Sequence, residues 1–192
     1  LRWKYLLAPV WDQEVAFRPR LAATAIGLAT NNLIPLRVGE FARVLALSRQ
    51  TYTPIPIVMG TLVMERLLDG LVQVGAIFLV MSLPSFPTVG AMDGLDPRSA
   101  ARTLLTVAGA IGLLLALLAV FPARSVRLAR TAIKILPGGW RRPLADSLRA
   151  FLRGLGVLRS PRYLTLSVLF AIGQWAFLGV GFYLGFLAFG ID

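Results

Sequence analysis

The sequence predicts an all-α fold: a polytopic membrane helix bundle carrying a re-entrant helical hairpin and a basic cytoplasmic pair of amphipathic helices. Three observations predict it. The 192 residues are 57% hydrophobic and only 15% charged, with a mean hydropathy of +0.73, values that suit lipid as solvent rather than water. Long apolar runs alternate with short segments rich in Pro, Gly and Arg. The charge is also segregated: between Pro122 and Arg162 stand ten Arg or Lys against a single acid, Asp146, and this block lies between two apolar runs. That is the pattern of a cytoplasmic membrane loop. The net charge of +11 and pI near 11.5 therefore read as topology, and no nucleic-acid partner is expected. The absence of cysteine excludes disulfides and thiolate chemistry.

In chain order, residues 1–20 hold Arg2, Lys4, Arg18 and Arg20 against Asp12 and Glu14, a balance expected of a cytoplasmic flank. The apolar run from Leu21 to Ile34 spans too few residues for the roughly 30 Å of a hydrocarbon core. Residues 21–49 are therefore expected to form a re-entrant hairpin turning near Asn31 to Pro35. Non-helical backbone at membrane depth requires burial in protein or a wet cavity, so a cavity is implied. Residues 55–83, 103–121 and 164–191 are expected to span. The first of these carries Glu65, Arg66 and Asp69; the other two are uncharged. With residues 122–162 cytoplasmic, the Pro- and Gly-rich segment 84–102 falls outside, and Arg37, Arg43 and Arg49 return to the inner side.

The basic loop has helical periodicity. Arg124, Arg127, Arg130 and Lys134 oppose Val126, Ala129, Ile133 and Leu136; then, beyond PGGW at 137–140, Leu144, Leu148, Phe151, Leu152 and Leu155 oppose Arg149 and Arg153, with Pro143 suiting a first helical turn. Two basic helices on the inner leaflet are expected. The whole of 1–192 reads as one membrane domain and, since it opens on Leu1 and stops just after an apolar run, as a piece of a longer chain.

The candidate site comes from two stretches. Thr61, Glu65, Asp69 and Gln73 are each four apart on one helix face, with Arg66 at its border. Two carboxylates one turn apart need cations or a proton in a low dielectric; Arg66 suits Asp69, and a second cation has to come from elsewhere. Arg37, Glu40 and Arg43 are each three apart on a second helix, where Gly39 allows close backbone approach. Arg37, Arg43 and Arg66 balance Glu40, Glu65 and Asp69. A plainer reading places Glu65 and Arg66 at a wet interface and makes Asn31 and Asn32 simple turn formers. Gln174 reads as a helix-to-helix hydrogen bond.

The order N-x-x-P-x-R-x-G-E-x-x-R followed by E-R-x-x-D resembles the signature of the lysylphosphatidylglycerol synthase transmembrane region family, the flippase-like proteins. It stands here as Asn32, Pro35, Arg37, Gly39, Glu40 and Arg43, then Glu65, Arg66 and Asp69; RWKYLL, FLRGLGVL and the Trp-bearing last span are similar in character. The resemblance implies a multi-pass domain of the cell inner membrane that moves phospholipid or lipid-linked molecules between leaflets. These nine residues are its substrate-binding candidates, with membrane lipids, anionic phospholipid foremost, as partners and no cofactor or metal. In fused relatives a soluble aminoacyl transferase domain accompanies the region, so a transferase domain, fused or separate, is a further expected partner. The alternatives are the membrane part of a lipid-modifying synthase and a non-transporting scaffold. No catalytic constellation accompanies the carboxylates.

Overall fold

The computed structural model describes residues 2–11, 15–34, 38–83, 97–121, 124–127 and 138–190. Most of these are helical, with no strand among them. We number the helices α1 (Arg2–Leu7), α2 (Phe17–Leu33), α3 (Gly39–Thr51), α4 (Ile55–Met81), α5 (Pro97–Val120), α6 (Gly138–Gly154) and α7 (Pro161–Ala188), with a 3₁₀ turn at Gly156–Arg159 before α7.

Proline sets two helix starts. Pro54 precedes α4, and Pro161 opens α7, where a fixed φ and a missing N–H cost nothing. Between α3 and α4 the chain reverses at Tyr52, whose φ of 53° is the left-handed conformation that ends a helix. Ser48 ties this turn: its carbonyl accepts the Thr53 N–H at 3.1 Å and its hydroxyl donates to the Thr53 carbonyl at 2.6 Å.

Helices α2 and α3 lie antiparallel and in close contact, Gly27 facing Gly39 and Arg43 while Asn31 faces Gly39. A Cβ on Gly27 would sit 2.9 Å from both the Gly39 carbonyl and the Arg43 Cβ, so glycine is what permits this approach. The expected helical pairing of 21–49 is present, but α2 runs on through Asn31 and Asn32 to Leu33 instead of turning at them. Pro35 and Arg37 lie outside the described residues.

Helix α4 is the hub, packing on α1, α3, α5, α6 and α7. Its approach to α6 is as close as that of α2 to α3, with Gly60 set against Gly154 and the Phe151 carbonyl. The core gathers at one end of the bundle: Trp3, Leu6 and Leu7 of α1, Val44 and Leu47 of α3, Val58, Leu62, Met64 and Leu68 of α4, then Leu152, Leu155 and Val157. Away from it, α5 and α7 display large apolar side chains, among them Leu113, Phe177, Phe182 and Phe186. In α7 apolar residues occupy every face, the pattern of a helix surrounded by apolar material.

Among the described residues one helix, Pro161–Ala188, is long and apolar enough to cross a membrane. A shorter apolar stretch, Arg102–Leu118, lies in α5. In α6, Leu148, Phe151 and Leu152 turn inward and Arg149 and Arg153 outward, as periodicity predicted, while Leu144 is exposed. The helix starts at Gly138, earlier than expected, leaving Pro143 inside it. The ring of a helical proline presses on the carbonyl four residues back, which here belongs to Gly139. Of the first predicted basic helix, 124–127 are helical and Val126 is buried; Ala129, Arg130, Ile133, Lys134 and Leu136 lie outside the described residues, as does most of the predicted outer loop, 84–96.

Candidate functional site

The carboxylates of α4 find three guanidinium partners. Glu65 and Asp69, one turn apart, are buried and face α1 and α3. From α1, Arg2 grips Asp69 with both terminal nitrogens: Nη1 donates to Oδ1 and Nη2 to Oδ2 at 2.9 Å, while Nη2 also lies 2.9 Å from Glu65 Oε1. From α3, Arg43 pairs through Nη2 with Glu65 Oε2. Arg66 borders the stripe: its Nη1 is 3.5 Å from Asp69 Oδ2, its Nη2 4.0 Å from Glu65 Oε1, and its Nε 3.2 Å from Glu40 Oε1. Three cations thus meet three anions in one continuous network. Such balance is what permits ionised groups to remain buried, since an unmatched charge in a low dielectric is strongly unfavourable.

A second layer fixes the arginines. The Trp3 ring lies under the Arg43 guanidinium, 4.0 Å from ring centroid to Cζ, and its indole Nε1 donates to Thr61 Oγ1 at 3.3 Å. Thr61 in turn donates to the Val58 carbonyl at 2.8 Å. A cation over an indole face, with the indole anchored at its polar edge, fixes the guanidinium plane. At the start of α3, Asn31 Oδ1 accepts the Gly39 N–H at 2.8 Å, satisfying a helix-end donor from a neighbouring helix.

The network is not uniformly enclosed. The side chains of Arg2, Asp69, Glu65 and Arg43 are 7–12% exposed, whereas Glu40 is 29% and Arg66 47% exposed. The open side adjoins a cavity of about 80 Å³ lined by Thr24, Gly27, Leu28, Asn31, Gly39, Glu40, Arg43 and Arg66. It is polar, bordered by both hairpin helices, and reaches a guanidinium that remains half exposed.

Of the nine residues singled out by sequence, Gly39, Glu40, Arg43, Glu65, Arg66 and Asp69 come together here. Asn32 is exposed near the end of α2, and it is Asn31 that contacts Gly39. Pro35 and Arg37 fall outside the described residues. The cation missing from the sequence argument is Arg2, a residue counted there only in the charge balance of a cytoplasmic flank and buried in the structure. Its signal lay in RWKYLL, where Arg2 and Leu6, and Trp3 and Leu7, fall four apart and so share a buried face.

The ion pairs are buried within a helical domain that also holds one helix long and apolar enough to cross a bilayer. The chain belongs to the family described as Lysylphosphatidylglycerol synthase TM region, whose match covers residues 1–192. No curated protein and no solved structure matches it.

Proposed function

We propose that this domain is flippase-like: it passes a phospholipid or lipid-linked headgroup between leaflets of the cell inner membrane along the polar edge of the ion-pair network. In this reading 55–83, 103–121 and 164–191 span the bilayer, 21–49 is the re-entrant hairpin, and 122–162 faces the cytoplasm. The observation that carries it is the small polar cavity where the half-exposed Arg66 meets Glu40 beside the α2–α3 pair. A phosphate needs guanidinium donors and a hydrated path, because carrying a charge through hydrocarbon costs several kcal/mol or more. Arg66 can exchange Glu40 for a phosphate oxygen, both being anionic acceptors of the same fork. Glu65, held by Arg2 and Arg43, stays as the fixed wall against which that exchange occurs.

A second reading follows from the family description: the domain is the membrane part of a lipid-modifying synthase, delivering or receiving lipid for a soluble transferase domain. Both readings require the network to face lipid headgroups. The test is leaflet exchange of a labelled anionic phospholipid in proteoliposomes, comparing native protein with Arg66→Gln and Glu65→Gln. Exchange lost in variants that still melt cooperatively supports the reading. Neutral replacements at Glu65 and Asp69 that leave both folding and exchange unchanged would refute it.

A further inference from the structure

Helix α6 presents two unlike faces. Ala145, Leu148, Phe151 and Leu152 turn toward the bundle, and Gly154 sets the helix against Gly60 of α4. On the other side Arg142, Arg149 and Arg153 are exposed, and their spacing of seven and four residues places them on one outward stripe about 16 Å long. Asp146 stands within the stripe, where its Oδ1 accepts from Arg149 Nη1 at 3.0 Å. Both partners are open to solvent, the arginine 44% and the carboxylate 69% exposed. An ion pair in water is weak, so an arriving phosphate can take Arg149 from it.

The stripe stands at one end of the bundle. Gly27 beside Arg43 and Asn31 beside Gly39 set the start of α2 level with the end of α3, and α4 begins a turn later. Gly154 against Gly60 brings the C-terminal turn of α6 to that level, and the 3₁₀ turn beyond it touches α5 and leads into α7. Other elements place exposed arginines there too: Arg18 in the first turn of α2, Arg49 in the last turn of α3, Arg124 just beyond α5 and Arg162 at the start of α7. Among the described residues Asp146 is the one acid at this end.

Cations from five elements at one level complement an extended anionic surface that meets the bundle on several sides; an acidic protein would meet one. The level is also where α7, long and apolar enough to cross a bilayer, begins. Arginine suits that depth, because its stem lies along apolar material while its guanidinium fork meets phosphate oxygens. We infer that the outward stripe of α6 binds anionic phospholipid of the inner leaflet, with Arg142, Arg149 and Arg153 as its phosphate donors. This rests on the proposed cytoplasmic placement of 122–162, not on lipid translocation. The stripe is a separate surface from the polar edge at Arg66.

The full chain in nanodiscs tests it, with phosphatidylglycerol or phosphatidylcholine carrying a diazirine close to the headgroup and crosslinks mapped by mass spectrometry. Labelling of 142–153 should be about tenfold stronger for phosphatidylglycerol, and should fall to the phosphatidylcholine level in high salt or when Arg142, Arg149 and Arg153 are all replaced by Gln. Asp146→Asn removes the anion within the stripe and should raise phosphatidylglycerol labelling, a gain that misfolding would not give; no gain overturns the inference. Equal labelling by the two lipids overturns it, as does a phosphatidylglycerol preference untouched by the triple replacement. Labelling by neither lipid on α6, with α7 labelled, overturns it and leaves the stripe to an acidic protein. The proposed route at Arg66 is read separately, by leaflet exchange.

Discussion

Removing Arg2 and removing Arg66 should have different consequences, although both side chains pair with Asp69. Arg2→Gln takes a cationic partner from each of two buried carboxylates, and loss of one partner from a buried pair costs about 3–5 kcal/mol. Arg66→Gln breaks pairs on a half-exposed side chain, where the cost is about 0–1 kcal/mol. Chemical unfolding in detergent micelles checks both; an equal loss in the two variants would contradict the burial argument. Tyr52 supplies a third case. Its left-handed φ of 53° opposes a bulky side chain, and the ring is exposed, so Tyr52→Gly should gain about 1 kcal/mol in the same measurement. At this scale the sequence carried local pairs best. Arg66 and Asp69, three apart, were legible from helix geometry alone, and so was the need for a further cation. That this cation is Arg2 was not, because 67 residues separate it from Asp69 and no periodicity links positions so far apart. Charge counting used Arg2 only to mark a cytoplasmic flank; the bundle sets it against α4.

Among the elements, glycine decides which helices approach most closely. Gly39 faces the Gly27 carbonyl, and a Cβ there would lie 2.6 Å from Asn31 Oδ1, so Gly39→Ala must push α2 and α3 apart. Overpacking of this kind costs about 1–3 kcal/mol. By contrast, Gly179→Ala on α7 meets nothing within 4 Å and should be neutral or gain up to about 1 kcal/mol from helix propensity. Thermal melting of the two variants separates a packing glycine from a spectator. The pairing of α2 with α3 was legible from a run too short to span followed by a polar stretch. The course of α2 through Asn31 and Asn32 was not, because an amide that forms a turn and an amide that caps a neighbouring helix look alike in sequence. Likewise Pro143 read as a helix start because proline usually is one, yet α6 carries it in its interior.

For the whole molecule, the arrangement separates a packed core from exposed apolar surface. The core, with Trp3, Leu47, Met64 and Leu152, holds the helices that present the charges, while α5 and α7 expose apolar side chains along their length. The class of the fold was legible from composition, since a chain this apolar and this helical must bury its charges together or place them at an edge. Which of these it does required the structure, and the answer is graded: Glu65 and Asp69 are enclosed while Arg66 remains half open.

Whether that gradation serves a lipid route or only a scaffold is tested most directly by a charge swap of the Arg66–Glu40 pair. The double variant Arg66→Glu with Glu40→Arg keeps one cation and one anion at the pair but moves the cation from α4 to α3. In proteoliposomes we expect the swapped protein to keep its cooperative melting transition and to lose leaflet exchange of an anionic phospholipid, because a phosphate arriving at residue 66 would meet a carboxylate. Recovery of native exchange by the swap would contradict the account and would mean that the pair serves only to hold the two helices in place.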